Sequence, residues 1–364
     1  MNPMRVLVVT CAHRGDDARI VQRQISAMLD AGFQVTLIAP EPLQTQVQQH
    51  VIIRRAIGRR RASSWFDVLR NVAKYRKTVD LLLVHDLEIA ALLSFMPGLP
   101  PRIFDVHEDL AQSVSDRSWI PVGFNSLVRK MVLFFERVIT FRFKFILAED
   151  SYQDERKRNL VIPNSTDIPK DCPPYKGSDR RIVYVGRISI GRGWNEIFLI
   201  AEQLQGLAEV HLIGEADSDI RTAVQEAHDS GLLKWHGYLA NSQALLLIEG
   251  ALVGLALLDN LPNYRHSLPT KIGEYFARGI PAIGSALPRT QELIEDAGAG
   301  WALQPPFVAQ VVTIVQTLVN DPKLRVELGE RCHAYAQKNL NWEIDSQRFL
   351  TYLKEVANGG LEKS

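Results

Sequence analysis

Short apolar runs alternate with longer amphipathic segments along this chain, and the alternation constrains the fold more than any other feature. Residues 6–10 form the first run, followed by a polar loop and a helical pattern over residues 18–31 that ends before Gly32. Strand–helix alternation of this kind specifies a parallel sheet covered on both faces. Further strands are predicted at 34–39, 81–85, 102–106 and 145–148.

The same alternation starts again after Asn164. A helix is predicted over 196–204, and strands at 182–186, 210–214, 233–237, 254–258 and 281–285. A chain of 364 residues is long enough for two domains. The sequence therefore predicts an α/β fold of two doubly wound, Rossmann-like domains, residues 1–165 and 166–342, facing a central cleft. The Pro-rich, charged segment 167–181 is interpreted as the linker.

Composition excludes several classes of protein. The net charge is +1, so the whole molecule does not favour nucleic acid as a partner. Three widely spaced cysteines suggest neither a disulfide framework nor a metal knuckle, and no apolar stretch is long enough to cross a bilayer. These features predict a cytoplasmic protein.

Basic residues are concentrated in the first 150 positions, around 54–61 and within 124–145. The second segment is either an amphipathic surface that lies on an anionic membrane or a core-packed helix with a charged outer face. Trp65 and Phe66 add to the membrane interpretation, which predicts a peripheral location on the inner face of the cell membrane.

The segment 267–284 predicts a loop, one short helix and a buried strand. Pro269 suits the first turn of the helix, and Gly279 suits its end. Lys271 and Glu274 lie three residues apart and project from one face of the first turn. A lysine at a helix N-terminus is suited to a diphosphate, and a carboxylate can accept hydrogen bonds from a ribose diol. The alternative is an exposed ion pair.

A glycine-containing loop follows the first strand of the second domain. It carries Arg187 and Arg192, five residues apart, and guanidinium groups pair well with phosphate oxygens. Gly214, where the next strand ends, is a further candidate for the binding site. With Lys271 these arginines would bring three cations to one edge of the cleft, so no metal is expected. The pair Asp217 and Asp219 only superficially matches an Asp-x-Asp metal site.

In the first domain, two places can contribute to a site. The strand at 102–106 leads into His107 and Glu108, and a parallel strand's carboxyl end points into the cleft. His107 can orient a sugar hydroxyl or serve a structural role, and Glu108 can serve as base or nucleophile or simply favour a helix N-terminus. Gly15, in the first strand-to-helix loop, can let the backbone approach a phosphate.

Together these motifs resemble the group 1 retaining glycosyltransferases of GT-B fold, especially the bacterial branch that builds exopolysaccharide and lipopolysaccharide. The resemblance covers almost the whole chain. It is carried by segments of both halves: Asp16-Asp-Ala-Arg19, Asp105-Val-His107-Glu108-Asp109, Ile162-Pro-Asn164-Ser, Val185-Gly-Arg187 with Arg192-Gly193, and, most specifically, Asn263-Tyr264 through Ser267-x-Pro269-x-Lys271-x-x-Glu274-Tyr275.

The resemblance implies transfer of a sugar, with retained anomeric configuration, from a nucleotide-diphosphate sugar to a glycan or lipid-linked acceptor. It implies that Asn263, Tyr264, His266, Ser267, Lys271 and Glu274 line the donor site, with Glu274 on the ribose. It further implies that His107 lies near the donor sugar, and that a C-terminal helix over 343–360 packs back on the first domain. No metal or other cofactor is expected.

One departure affects donor-sugar recognition. Many relatives carry two glutamates separated by seven residues, and His266 stands where the first would fall. A catalytically inactive GT-B subunit that binds nucleotide as a scaffold, a nucleotide-sugar epimerase and an inverting transferase therefore stay as alternatives. The donor sugar, the base and the acceptor are not specified by the sequence.

Overall fold

A computed structural model describes residues 2–41, 47–53, 61–106, 137–149, 159–265 and 269–359, apart from the side chains of Arg61, Pro262 and Asn263. The chain divides into two units, one of residues 1–164 together with 343–364 and one of residues 165–342. Each unit is built around its own parallel sheet. The predicted two-domain α/β fold is confirmed.

The first unit holds a sheet whose described strands follow the order β3-β2-β1-β4-β5-β6-β7, all parallel. Its elements are β1 (Arg5–Val9), α1 (Ala18–Ile25 continuing as Ser26–Asp30), β2 (Gln34–Ala39), β3 (Gln49–Ile52), α2 (Arg61–Tyr75), β4 (Leu81–Val84), α3 (Leu87–Leu93), β5 (Arg102–Val106), β6 (Lys144–Leu147) and β7 (Leu160–Val161). The strand order reverses between β1 and β4, which is where doubly wound sheets place their ligands.

Helix α1 begins at an acidic cap. The Asp17 carboxylate accepts hydrogen bonds from the backbone N–H groups of Arg19 and Ile20. The helix then winds as a π-helix over Ala18–Ile25 before it becomes α-helical. It ends before Gly32, whose φ of +79° is a conformation that suits glycine. The predicted span of this helix is therefore correct, although its π-helical turns were not predicted.

The last helix of the chain, α12 (Trp342–Ala357), is part of the first unit from Glu343 onward. Phe349 and Leu353 are fully buried along one face of α12. The Tyr352 hydroxyl donates a hydrogen bond of 3.1 Å to the Phe145 carbonyl in strand β6. The C-terminal helix therefore adds to the hydrophobic core that the first 164 residues build.

The second unit holds a parallel sheet of described strands in the order β10-β9-β8-β11-β12-β13. Its elements are β8 (Arg181–Val185), a 3-10 turn (Ile190–Arg192), α4 (Trp194–Gln203), β9 (Glu209–Ile213), α5 (Arg221–Asp229), β10 (Lys234–Trp235), α6 (Asn241–Ile248), β11 (Val253–Ala256), α7 (Pro262–Arg265), α8 (Thr270–Ala277), β12 (Ala282–Ser285), α9 (Pro288–Ala297), β13 (Gly300–Leu303), α10 (Val308–Asn320) and α11 (Pro322–Asn339). Here the order reverses between β8 and β11.

The segment 167–181, interpreted from its composition as a linker, packs on the second unit instead. The Arg278 guanidinium donates a hydrogen bond of 2.6 Å to the Asp167 carbonyl. Cys172 packs directly on Gly279, where a Cβ would overlap its Sγ. A proline-rich, charged composition suits a linker, but here it belongs to a surface segment that these contacts hold against the second unit. No helix in the described part of the chain is long and apolar enough to cross a membrane.

Candidate functional site

Two glycines let the carboxyl ends of β8 and β9 approach each other closely. Gly186 has a φ of +119° and Gly214 a φ of +148°, values that favour glycine. A Cβ on Gly214 would overlap the Gly186 carbonyl. Because neither residue carries a side chain, the backbone itself forms this part of the sheet's carboxyl edge.

Lys271 lies in the first turn of α8, but it is buried. Its side-chain Nζ lies 3.6 Å from the centroid of the Tyr184 ring, and a Cβ built on Gly186 would be 3.7 Å from the same Nζ. Within the described part of the chain, this ammonium has no hydrogen-bond partner. A buried cation without a partner is costly, so the arrangement is suited to an incoming anion.

The electrostatics around Lys271 agree with this interpretation. Burial lowers the pKa of Lys271 well below its ordinary value, the positive charge of Arg192 lowers this pKa further, and the Glu274 carboxylate partly offsets both effects. Two of the three predicted cations, Lys271 and Arg192, are thus close enough to repel each other. An anion bound beside them relieves that repulsion and favours the charged form of the lysine.

The third predicted cation, Arg187, faces another partner. Its guanidinium makes two hydrogen bonds to the Asp217 carboxylate, at 2.6 and 2.8 Å. The Arg187 side chain is 66% exposed, and an exposed pair of this kind contributes about 1 kcal/mol or less. Asp217, considered above as half of an Asp-x-Asp metal motif, therefore serves as a counter-ion for Arg187. The described residues contain no cluster of three or more His, Cys, Asp or Glu side chains suited to a metal.

Arg192, in the loop after β8, packs against α7. Its guanidinium carbon lies 5.7 Å from the centroid of the Tyr264 ring, a cation–π geometry. The Gly191 carbonyl accepts a hydrogen bond of 3.0 Å from the backbone N–H of Asp259, which ties the loop to the residues after β11. The structure thus brings Tyr264 next to the loop after β8 that carries Arg187 and Arg192 (residues 186–193, the arginine loop). Asn263 lies in α7, and its side chain is not described; His266 and Ser267 lie outside the described residues.

Glu274 is buried one turn after Lys271. One of its carboxylate oxygens accepts a hydrogen bond of 2.7 Å from the Asn241 amide at the start of α6. Both Lys271 and Glu274 are 7% exposed, so the alternative of an exposed surface ion pair is wrong. Asn241 is a residue that the sequence did not point to, because it lies 33 positions from its partner.

Two buried tyrosines pack beneath the carboxyl edge of the sheet where Lys271 lies. The Tyr184 ring carries the Lys271 ammonium on its face, and its hydroxyl donates a hydrogen bond of 2.7 Å to the Arg187 carbonyl. Burial raises the pKa of Tyr184 above its ordinary value, and the neighbouring Arg192 partly offsets the rise. Tyr275, fully buried, lies between β8 and β11. Neither tyrosine was among the predicted site residues.

In the first unit, the loop after β1 is organised by a buried acid. The Asp86 carboxylate accepts hydrogen bonds from the backbone N–H groups of Cys11 at 2.6 Å and Ala12 at 3.3 Å. The Thr10 hydroxyl also donates to Asp86, at 3.4 Å. Gly15 follows in a buried turn of this loop. The carboxylate of Asp86 thus already satisfies donors of the kind that a phosphate would need at this loop.

A buried ion pair connects three of the motifs that carried the resemblance. The Arg19 guanidinium grips the Asp105 carboxylate through two hydrogen bonds of 2.9 and 2.7 Å. The same guanidinium donates to the Asn164 side chain at 3.0 Å, and the Gln24 amide donates to Asp105 at 2.7 Å. These motifs therefore meet in the core of the first unit. His107 and Glu108 lie outside the described residues.

The fold is shared with solved structures of glycosyltransferases. Sucrose-phosphate synthase from Thermosynechococcus elongatus matches with a TM-score of 0.72 and 16% identity, over 98% of this chain and 100% of that one. HepE of Anabaena in complex with UDP and glucose matches with 0.72 and 14%, over 97% and 100%. WaaG, a glycosyltransferase involved in lipopolysaccharide biosynthesis, matches with 0.67 and 16%, over 95% and 98%. These likenesses define a two-domain GT-B protein.

The sequence of the second unit matches a family model. Residues 171–338 match the family model described as glycosyl transferases group 1. No curated protein matches the chain. The second unit thus matches a group 1 glycosyltransferase domain over most of its length, as the motifs predicted, and this match together with the structural neighbours supports a glycosyltransferase.

Proposed function

We propose that this protein is a retaining glycosyltransferase that moves a sugar from a nucleoside-diphosphate sugar to a glycan or lipid-linked acceptor in exopolysaccharide or lipopolysaccharide synthesis. The observation that carries the proposal is the Lys271 ammonium, buried between the Tyr184 ring and Gly186 with no hydrogen-bond partner among the described residues. It lies within the segment that matches the family model.

The donor's diphosphate would lie at the carboxyl edge of the second sheet. Lys271 and Arg192 supply positive charge there, and Gly186, which lacks a side chain, lets phosphate oxygens approach the backbone beside the Lys271 ammonium. Arg187 can join them, because its exposed pair with Asp217 is weak enough to exchange for a phosphate. Fixed cations can stabilise the charge that develops on a departing diphosphate, so the proposed binding needs no metal.

The ribose of the donor would lie beside Glu274. A buried carboxylate accepts hydrogen bonds from a vicinal diol, one to each oxygen. The Asn241 amide already holds one carboxylate oxygen at 2.7 Å, so the carboxylate is oriented before the ligand arrives. The same geometry makes Asn241 a residue that acts on the ribose through Glu274.

The proposed transfer takes place on one face of the sugar. The bond between the anomeric carbon and the diphosphate oxygen breaks, and the acceptor hydroxyl oxygen bonds to the same carbon from the same face. The hydroxyl proton passes to the departing phosphate oxygen. By resemblance, His107 contributes near the donor sugar, and a route in which Glu108 forms a covalent intermediate is the alternative; both residues lie outside the described part of the chain.

Two structural neighbours suggest where to begin with substrates. HepE of Anabaena has been crystallised with UDP and with UDP-glucose, and WaaG is involved in lipopolysaccharide biosynthesis. UDP is therefore the first nucleotide to test for this chain, and a lipopolysaccharide-type acceptor the first acceptor. Identities of 13–16% support the choice of probe only.

A contact with the membrane forms part of the proposal. On α2 and the turn that follows it, Phe66, Arg70, Lys74 and Lys77 share one exposed face at spacings of four, four and three residues, and Phe66 is 67% exposed. An aromatic side chain beside three cations suits an anionic lipid surface. Sedimentation with vesicles containing 30% phosphatidylglycerol, by wild type and by F66S/R70E, tests this contact; equal binding by both proteins argues against it.

The donor site is tested by a thermal-shift screen with UDP, GDP, dTDP, ADP and their sugar conjugates, each with Mg²⁺ and with EDTA. One nucleoside diphosphate should raise the melting midpoint, equally in EDTA, and K271A should lose the shift. Proton NMR of the turnover product then reports the anomeric configuration. Absence of any shift from a folded protein would contradict the proposed function, and an inverted product would contradict the retaining mechanism alone.

A further inference from the structure

The two central strands of the second sheet separate before they end. β8 and β11 are paired only at Ile182 with Val253 and at Val183 with Gly254. Both strands continue beyond that point, β8 paired with β9 as far as Val185 and β11 paired with β12 as far as Ala256. The sheet therefore opens at the position where its strand order reverses, directly below the proposed diphosphate site.

The hydroxyl of Tyr275 fills this opening. It accepts a hydrogen bond of 3.0 Å from the backbone N–H of Val185 on β8. It donates to the carbonyl of Leu255 on β11 at 3.1 Å, with the carbonyl of Val183 at 3.4 Å. The hydroxyl thus replaces the direct hydrogen bond that the two strands would otherwise make at this level.

Gly254 makes room for the ring that carries the hydroxyl. A Cβ built on Gly254 would overlap the Tyr275 ring, so any other residue there would displace the tyrosine. Tyr275 is fully buried, and burial raises the pKa of its hydroxyl well above the ordinary value, with the Val185 N–H partly offsetting the rise. The group is therefore a fixed, neutral hydrogen-bonding bridge.

Tyr275 also stands one helical turn after Lys271 on α8, so both side chains project from the same face toward β8. Its partner on β8, Val185, directly precedes Gly186, beside which the Lys271 ammonium lies. One hydroxyl thus ties the helix that carries the lysine to the strand end that begins the arginine loop.

We propose that Tyr275 is a positioning residue for the donor diphosphate. Its hydroxyl holds β8 and β11 apart and fixes the Lys271 ammonium beside Gly186, at the start of the arginine loop. The inference rests on the proposed function, since it concerns the same site. Tyr275 touches no substrate in this account and acts through Lys271. Removing the hydroxyl alone should therefore weaken diphosphate binding without removing any group that contacts the ligand.

The test is Y275F, measured by titration calorimetry with UDP, or with the diphosphate that the screen selects, and with the corresponding monophosphate. Affinity for the diphosphate should fall by about tenfold or more, and affinity for the monophosphate by less than threefold. Y175F is the matched control, because the Tyr175 hydroxyl donates 2.9 Å to the Asp179 carbonyl in the same unit. Y175F should leave both affinities unchanged.

A double-mutant cycle separates positioning from general loosening of the fold. In a K271M background, Y275F should cause no further loss of diphosphate affinity, because the lysine through which it acts is absent. Its effect on the melting midpoint should remain. An unchanged diphosphate affinity in Y275F, or equal losses with and without Lys271, would overturn the inference. A wild type that binds no nucleoside diphosphate would instead refute the proposed function.

A measurement on the wild type keeps the inference testable if Y275F does not fold. Amide hydrogen exchange at Val185, whose N–H donates to Tyr275, should slow by about tenfold when the diphosphate binds, because the ligand tightens the strand end that the hydroxyl holds. Exchange at Val185 that the ligand leaves unchanged, while the ligand binds, would count against Tyr275 as a positioning residue.

Discussion

Replacing Lys271 by methionine should stabilise the protein while it weakens donor binding. The ammonium is buried, lies on the Tyr184 ring at 3.6 Å, and has no hydrogen-bond partner among the described residues. Burying an unpaired charge destabilises the folded state by several kcal/mol after relaxation, whereas a desolvated cation–π contact stabilises it by about 2 kcal/mol. Methionine keeps the apolar contacts of the side chain without the charge.

The net gain in the free energy of unfolding is expected to be about 1–3 kcal/mol. For a unit of this size each kcal/mol moves the melting midpoint by about 2–4 °C, so K271M should melt about 2–12 °C higher than wild type. Differential scanning calorimetry without ligand measures the shift. In the same variant, the further shift that the nucleoside diphosphate gives to wild type should be smaller at the same ligand concentration.

The pH dependence of the difference provides a second check. Because the pKa of Lys271 is lowered in the folded protein, the folded state binds fewer protons than the unfolded state below the ordinary lysine pKa. The penalty is therefore fully present below the folded-state pKa and shrinks as the pH rises from there toward the ordinary value. K271M should therefore lose its advantage over wild type progressively as the pH rises toward about 10.4, the ordinary lysine pKa.

A matched control is K338M, which makes the same exchange on the exposed face of α11. It should change the free energy of unfolding by less than about 0.5 kcal/mol. A K271M protein that is destabilised, as an ordinary core truncation would be, would refute the reasoning, because it would show that the ammonium stabilises the protein without a ligand.

Three further predictions concern other contacts. R19M should lower the free energy of unfolding of the first unit by about 3–5 kcal/mol in urea titrations, because it removes the arginine that pairs with the buried Asp105 carboxylate. Burial lowers the pKa values of both His211 and His236, so the folded state binds fewer protons than the unfolded state. The melting midpoint should therefore decrease as the pH is lowered below about 6.5, and this decrease should be smaller in H211N/H236N. N241A should weaken UDP binding about tenfold but leave binding of 2′,3′-dideoxy-UDP unchanged, because it acts through the ribose.

Each of these predictions has a control. R5M breaks the exposed pair of Arg5 with Asp80 and should cost less than about 1 kcal/mol; an equal loss in R19M would argue that the buried pair is worth no more than a surface one. A double histidine variant with the pH profile of wild type would remove the histidine pair as its cause. N71A, which loses a hydrogen bond in the first unit, should not affect UDP; a loss for both nucleotides in N241A would separate Asn241 from the ribose.

The sequence predicted much of the fold because short apolar runs leave few alternatives. Strands β2 and β5 were predicted at their observed bounds, and the other predicted strands lie within two residues of the observed ones. Strands β3, β7 and β13 were missed. β3 is a partly exposed edge strand of mixed polarity, Gln-His-Val-Ile, and such a strand lacks the period that a buried one shows.

The candidate site was predicted only as far as local spacing reaches. Lys271 and Glu274 were found because they share one helical turn, and Tyr264 because it belongs to the same motif. The burial of Lys271 and the role of Asn241 depend on residues 33 or more positions away. The pairing of Arg187 with Asp217 is equally non-local. Spacing along the chain therefore could not show which of the predicted cations is paired with a carboxylate and which is available to a ligand.

The most direct test of the central claim is titration calorimetry of the wild type with UDP, or the diphosphate that the screen selects, against its monophosphate and nucleoside, all in EDTA. A site made of Lys271, Arg192 and a glycine-lined backbone should bind the diphosphate at least about 30-fold more tightly than the monophosphate, because only the second phosphate reaches the buried ammonium. Removing divalent metal should leave this ratio unchanged. Equal affinity for both nucleotides, or loss of the preference in EDTA, would contradict metal-independent diphosphate recognition by this site.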